Sequence, residues 1–405
     1  MAEQVGRLVT LDDIRAAARM LADVVRVTPL ERSLLLSSRV GGPAYLKCEN
    51  LQRAGSFKVR GAYTRIARLS DEERARGVVA ASAGNHAQGV ALAAAALGCH
   101  ATVFMPNGAP LPKVEATRGY GATVELVGQV VDTALDAAQR YADETGAVYI
   151  HPFDHHDVIA GQGTVGLEIL EQCPEVRTIM VAVGGGGLVS GIAAAVKALR
   201  PDVRVVGVQA EGAAAMRASL DAGEPVRIGH VSTIADGIAV GRTGPVAYAH
   251  VERLVDEVVT VSDEAISRAL VMCLERAKLV VEPAGVVPVA ALLTDPHLAE
   301  TPVVSVLSGG NVDPLLLGRV IQHGLVSAGR YLSFRVRMPD RPGSLATLLQ
   351  YIADLGGNVL DVEHHRTEAH LSVGEAEVSV SVEARGPNHC DELLKALQAH
   401  GYTVF

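Results

Sequence analysis

Short runs of β-branched and other apolar residues alternate with longer alanine-rich runs of helical spacing through most of the chain. Strands are expected at 78–82, 101–105 and 123–127, each followed by a helix, at 87–97, 111–120 and 131–145. A second series places strands at 178–183, 204–209, 258–261 and 303–307, each leading toward a helical stretch. Ahead of both series, Thr10-Leu11-Asp12-Asp13 offers a capping hydroxyl and first-turn acids to a helix reaching about Val25, which Thr28-Pro29-Leu30 ends. Strands alternating with helices predict open, mostly parallel sheets joined by right-handed crossovers. In such sheets ligands collect beyond the carboxyl ends of the strands.

After Gly329 the pattern changes. A strand at 331–338, a helix at 344–355, strands at 359–366 and 376–384, a helix at 390–400 and a strand at 402–405 follow the split β-α-β-β-α-β order of ferredoxin-like domains. The expected organisation is an α/β unit over 1–328, with a smaller subdomain of about 45–150 inserted in a larger one, then an α+β domain over 329–405.

Composition narrows the classes. Hydrophobic residues make up 49% and charged residues 20% of the 405, as in a globular protein; Trp is absent and aromatics are 3%, so Ala, Val, Leu and Ile must fill the cores. A net charge of -9 with no basic stripe argues against a nucleic-acid partner. Cys48, Cys99, Cys173, Cys273 and Cys390 never form a Cys-x-x-Cys pair, so reduced thiols in a cytoplasmic setting and no zinc site are expected. Met1-Ala2-Glu3-Gln4-Val5 lacks the features of a signal peptide, and glycine or charge interrupts each long apolar run, so no membrane segment is expected.

Lysine is scarce, limited to Lys47, Lys58, Lys113, Lys197, Lys278 and Lys395. Four of these, Lys113, Lys197, Lys278 and Lys395, lie in apolar-periodic runs and read as the solvated faces of helices. Lys58 differs: it follows Ser56-Phe57 and precedes Gly61, a setting that can partly desolvate an amine and ready it to attack a carbonyl. Gly184-Gly185-Gly186-Gly187 follows a predicted strand and opens a helix, a place where backbone N–H groups can face a phosphate, or simply a tight turn. Val189 and Ser190 break the Gly-x-Gly-x-x-Gly spacing, and no lysine precedes Ser or Thr, so neither dinucleotide nor Walker loop fits. His151-Pro152-Phe153-Asp154-His155-His156-Asp157 looks like a metal cluster, but adjacent side chains diverge and Pro152 breaks the spacing. His364 and His365 fall on opposite faces of a predicted strand.

Ser56-Phe57-Lys58-Val59-Arg60-Gly61-Ala62 resembles the pyridoxal-phosphate motif of the threonine dehydratases, a family that includes serine dehydratases and serine racemases. Ser82-Ala83-Gly84-Asn85-His86-Ala87-Gln88-Gly89, Gly184 to Gly187 with Leu188, and Val306-Leu307-Ser308-Gly309-Gly310-Asn311 follow in the family's order, so the resemblance spans about 10 to 325. It implies the two-domain pyridoxal-phosphate fold type II, like the β subunit of tryptophan synthase. By the same resemblance Lys58 binds the cofactor aldehyde covalently and is the catalytic base. Phe57 packs on the cofactor ring, Asn85 bonds its phenolic oxygen, Gly184, Gly185, Gly186, Gly187 and Leu188 hold its phosphate, and Ser308 meets its pyridine nitrogen. Ser82, Ala83, Gly84, Asn85 and His86 receive the substrate carboxylate, although a histidine like His86 read alone is more often a cap or a core histidine. The activity implied is β-elimination from threonine to 2-oxobutanoate and ammonia, or from serine to pyruvate, in isoleucine synthesis or threonine catabolism. A neutral hydroxyl at Ser308 gives a weaker electron sink than an aspartate, which suits prompt elimination.

Asp340-Arg341-Pro342-Gly343-Ser344-Leu345 and Gly356-Gly357-Asn358-Val359 resemble an ACT regulatory domain, which implies an effector such as isoleucine or valine between two copies of a homodimer or homotetramer; the element pattern alone also fits a plain oligomerisation module. Two departures from the family bear on function. Racemases carry a serine acid where Ala83 stands, and members with a divalent cation place acids where Gln209 and Ala215 stand, with Glu211 shifted, so racemisation and a metal are not expected. An acidic stretch in the family precedes a turn matching 160–164. A serine-directed dehydratase, a β-replacement synthase on the same cofactor, and a non-catalytic amino-acid sensor are the competing readings.

Overall fold

The computed structural model describes residues 6–366 and 371–405; the opening Met1-Ala2-Glu3-Gln4-Val5 segment lies outside the described residues. Two compact units divide the chain, Met1–Leu317 and Gly318–Phe405.

The first unit holds two sheets. The larger runs β1 (Leu30–Arg32), β2 (Ala44–Lys47), β10 (Val303–Val306), β7 (Thr178–Ala182), β8 (Arg204–Ala210) and β9 (Glu257–Val261) in that spatial order, parallel except for the β1/β2 pair. The smaller orders β5 (Thr123–Leu126), β4 (Ala101–Met105), β3 (Val78–Ala81) and β6 (Val148–Tyr149), all parallel. Strands buried on both faces read as unbroken apolar runs, and β3, β7 and β10 are buried at every position. Valines and isoleucines of β7, β8 and β10 meet Val189, Ile192 and Val196 in one core, while the smaller sheet packs largely on alanines. A buried valine contributes roughly 1.5–3 kcal/mol, so the sheet frame is stiff where the strand ends open into loops.

Local chemistry sets the element ends. The Leu11–Leu21 helix starts on a capping box in which the Thr10 hydroxyl accepts from the Asp13 N–H at 3.2 Å and the Asp13 carboxylate accepts from Thr10 N–H at 3.0 Å. Several elements escape the periodic reading: the Leu34–Val40 helix, β2, the Lys58–Ala67 helix and β6. The expected turn at 160–164 is the middle of the His156–Gln172 helix. Its glycines are contact points rather than breaks: a Cβ on Gly161 would stand 2.5 Å from the Arg60 carbonyl oxygen, so the two helices cross closer than any side chain permits.

The second unit has the antiparallel order β12 (Asn358–His365), β13 (Glu375–Glu383), β11 (Tyr331–Pro339), β14 (Thr403–Val404), with the Ser344–Asp354 and Pro387–Ala399 helices. Val336, Val378, Val380 and Val382 alternate inward to meet Leu348, Ile352, Leu393 and Leu397. This is the ferredoxin-like arrangement expected from the pattern.

All five cysteines are buried and free. Among the described residues no helix is long and apolar enough to cross a membrane, and no group of three or more metal-binding side chains converges.

Candidate active site

Three strand ends bring their loops together around one amine. Lys58 opens the Lys58–Ala67 helix, and the segment before it is tied to the turn after β10. Ser56 forms a bridge with Gly309, Phe57 N–H donates to Ser308 O at 3.2 Å, and Gly310 N–H donates to Gly55 O at 2.8 Å. The Lys58 Nζ donates to the Pro152 carbonyl at 2.8 Å and lies 5.3 Å from the centre of the Phe57 ring.

Phe153, the next residue, links this amine to the glycine run after β7. A Cβ on Gly185 would meet the Phe153 ring at 2.3 Å, so no side chain fits there. Gly186 has φ of 97°, a left-handed conformation that favours glycine, and it opens the Gly187–Leu199 helix with no side-chain cap. The first-turn N–H groups of that helix, including that of the buried Leu188, therefore face the site unclaimed, as an anion requires.

The turn after β3 supplies the third wall. Ser82 Oγ accepts from Gly84 N–H at 3.1 Å, Ala83 and Gly84 are half-buried, and Asn85 and His86 start the Asn85–Ala96 helix. His86 is a core histidine rather than a cap: its Nε2 sits 2.8 Å from Ile150 O, and burial, aided by Lys58, lowers it to about 3, so the ring is neutral. Ser308, 4% exposed, follows β10, and the next helix begins only at Pro314; no hydrogen bond joins its hydroxyl to a described residue.

The electrostatics centre on a residue that local pattern did not single out. Glu282, 3% exposed, accepts from Asn85 Nδ2 at 2.6 Å. Burial, reinforced by the Asp236 carboxylate, raises Glu282 to about 7, against the pull of Lys113, Asn85 and Lys58. Burial also lowers Lys58 to about 8, with Glu282 opposing. Lys113, expected on a solvated helix face, is instead 9% exposed and paired with Asp236 at 2.7 Å, because its helix packs its side of the site. Lys278, also expected on a helix face, is not helical; it follows the Cys273–Ala277 segment at φ 59°. The signal for Glu282 was available: a lone acid in the apolar run Leu279-Val280-Val281, just before the Pro283-Ala284-Gly285 helix start.

The His151 to Asp157 stretch serves the backbone. His151 Nδ1 accepts from Asp154 N–H at 2.8 Å, Asp154 accepts from Ala247 N–H at 2.9 Å, His155 caps its helix, and Asp157 pairs with Arg65 and Arg68. Gln209, at the place compared with a cation site, is used up within the protein: its Nε2 donates to Val183 O and Ala213 O, and its Oε1 accepts from Arg217 N–H.

A lysine lowered to about 8 exposes far more neutral amine at pH 7 than one at 10.5. Isotope-edited NMR of the reductively methylated apoprotein is expected to show one lysine titrating near pH 8; titration of Lys58 above pH 10 would contradict this reading.

An anion-ready helix start, a low-titrating lysine, a neutral buried hydroxyl and an amide brought together by these loops suit an aldehyde-bearing pyridine phosphate. The sequence profile of the pyridoxal-phosphate dependent enzymes matches residues 21–309. The chain belongs to that family. Its cofactor is pyridoxal phosphate, and an ACT domain profile matches residues 333–401. An L-threonine ammonia-lyase of Thermotoga maritima is 49% identical over 98% of this chain and 99% of its own length. One from Geobacter sulfurreducens is 46% identical over 96% and 98%. Among solved structures of this pyridoxal-phosphate family, maize serine racemase superposes with a TM-score of 0.74 at 39% identity, covering 79% of this chain and 99% of that one.

Proposed function

We propose that this enzyme is an L-threonine ammonia-lyase that forms 2-oxobutanoate and ammonia from L-threonine, and pyruvate from L-serine. The observation that carries the reading is the end-to-end similarity to an enzyme of that name, across both units. Bound pyridoxal phosphate supplies an electron sink that makes the α-proton of an attached amino acid acidic.

The residues divide the remaining work. Lys58 would hold the cofactor aldehyde, and its amine would take the α-proton, for which a value near neutrality is suited. The N–H groups of Gly184 to Leu188, at the start of a 13-residue helix, neutralise the phosphate. Phe57 would cover the ring, Asn85 would bond its oxygen, and the neutral Ser308 hydroxyl would meet the ring nitrogen. The 82–86 loop accepts the substrate carboxylate at the Asn85–Ala96 helix start, where the dipole is positive. The Ala83 methyl cannot return a proton to the opposite face, so elimination rather than racemisation follows.

The C-terminal unit binds a free amino acid, isoleucine or valine, between two copies in a cytoplasmic homodimer or homotetramer. In support, Gly343 (φ 90°) starts the Ser344–Asp354 helix next to Asp340, and Gly356 (φ 80°) with Gly357 closes it. The effector regulates only through different affinities for active and inactive states.

A ketoacid assay tests both parts. Threonine and serine are expected to turn over while O-activated serine plus a thiol gives no replacement product, and isoleucine or valine is expected to shift the threonine saturation curve. An unmoved curve at saturating effector, with no calorimetric binding to the intact protein, rules out the sensing role; replacement product without ketoacid rules out the lyase.

A further inference from the structure

Asn85 stands at the end of a hydrogen-bond relay whose direction the backbone dictates. The Ala54 carbonyl accepts from an Asn311 side-chain nitrogen at 2.7 Å, and a carbonyl can only accept, which fixes that nitrogen as the NH2 of Asn311. The same NH2 donates at 2.8 Å to Asn85, so Asn85 must present its Oδ1 there. Its Nδ2 is thereby turned to Glu282 Oε1, 2.6 Å away. An amide nitrogen has two hydrogens, and Glu282 takes one. The other is left for a ligand.

We infer that Glu282 is a positioning residue of this site: it holds the Asn85 amide in the one orientation that leaves an N–H free for the cofactor, and by gaining or losing a proton it sets how strongly that N–H donates. The inference rests on the proposed placement of Asn85 at the cofactor, but not on which amino acid is turned over.

The surroundings are built for such a group. Glu282 is 3% exposed, is the cap residue before the Pro283–Thr294 helix, donates its backbone N–H to the Gly309 carbonyl at 3.0 Å, and lies so close that a Cβ on Gly309 would stand 2.3 Å from its Oε1. Three charged side chains face it from three elements: Asp236 of the Asp236–Ile238 turn, Lys113 of the Leu111–Gly119 helix and Lys58 of the Lys58–Ala67 helix. Asp236 favours the protonated carboxyl, while Lys113 and Lys58 favour the carboxylate. Because Lys113 and Asp236 are themselves paired at 2.7 Å, the two act on Glu282 as a balanced couple that can be unbalanced from either side. A carboxylate pulls harder on the Asn85 N–H than a carboxyl does, and an amide so engaged polarises its second N–H.

The test reads the visible spectrum of the holoenzyme against pH, without substrate, so failure of the threonine reading leaves it intact. Wild-type holoenzyme is expected to show a spectral transition with pH that follows the protonation of Glu282, which burial and Asp236 push upward. Glu282→Gln keeps an acceptor for Asn85 but cannot titrate: cofactor affinity stays within about threefold of wild type and the transition disappears. Glu282→Ala loses the acceptor as well, and cofactor affinity falls by roughly tenfold or more, as for a charge-assisted hydrogen bond. Asp236→Asn, at a half-exposed side chain that does not threaten folding, moves the midpoint down, and Lys113→Gln moves it up, each by on the order of half to one pH unit. A transition that persists in Glu282→Gln, or a midpoint that ignores both Asp236→Asn and Lys113→Gln, overturns the inference.

Discussion

Replacing Lys58 with alanine is expected to lower ketoacid formation from threonine on the order of 10²- to 10⁴-fold, the range by which a positioned base accelerates proton transfer. Cofactor retention should weaken in the same protein, since its only covalent anchor is removed. Both expectations follow from placement: no other lysine combines a partly buried amine, a carbonyl partner at 2.8 Å and the Phe57 ring beside it. Lys47 is fully buried in an ion cluster, and Lys113 is spent on Asp236. A small primary amine added to Lys58→Ala should return part of the rate by acting as a diffusible base. Residual activity above about a tenth of wild type would mean that another group takes the α-proton.

The second large effect concerns stability. Arg60, two residues after Lys58, is fully buried with two carboxylates: its Nε and Nη2 grip Glu49 at 2.8 Å each, and Nη1 reaches Glu168 at 2.6 Å. Lys47 completes the group, donating to Glu168 at 2.6 Å, to Gln172 at 2.9 Å and to the Thr28 carbonyl at 2.8 Å. Burial alone pushes Glu49 upward, yet the Arg60 guanidinium and the Thr28 hydroxyl outweigh it and hold the carboxyl below its ordinary range. Arg60→Ala leaves Glu49 charged and unpaired in the interior, a change that typically costs 3–5 kcal/mol, about that range being expected in denaturant unfolding of the catalytic unit within the full chain. Arg60→Lys cannot reproduce the fork and is expected to recover less than half. The sign with pH follows from the lowered Glu49: its stabilisation is present above the unfolded carboxylate value and disappears as pH falls through the folded one. A loss under about 1 kcal/mol on Arg60→Ala would show that water reaches Glu49.

Much of the fold was readable because parallel strands buried on both faces leave unbroken apolar runs in the chain. The observed β4 matches the expected 101–105, and β3, β5, β7 and β10 each end within one residue of expectation. Alternation served equally well in the C-terminal unit, whose sheet has one covered face. Helices at 156–172 and 58–67 escaped because glycines interrupt their apolar pattern; Gly161 and Gly61 are there to let the two helices touch, which is a tertiary demand with no local period. At the site, Lys58 stood out through the scarcity of lysine and its Ser56-Phe57 setting, and the glycine run through its place after a strand, while Asn85 and Ser308 lie in strand-end motifs whose roles came from the family resemblance. Glu282, Asp236 and Lys113 did not, since 282 lies 224 residues from Lys58 and only folding makes them neighbours. The reading of His151 to Asp157 as non-metal chemistry rested on diverging side chains, and the structure supplies the use instead, as caps and ion pairs.

The account depends most on a covalent link between the Lys58 amine and pyridoxal phosphate. Borohydride reduction of the holoenzyme, followed by peptide mass mapping, reads that link directly. The expected result is one phosphopyridoxyl group per chain, on the peptide containing Lys58. A fully active enzyme carrying the group on Lys47 or Lys113, or carrying none, would contradict the account.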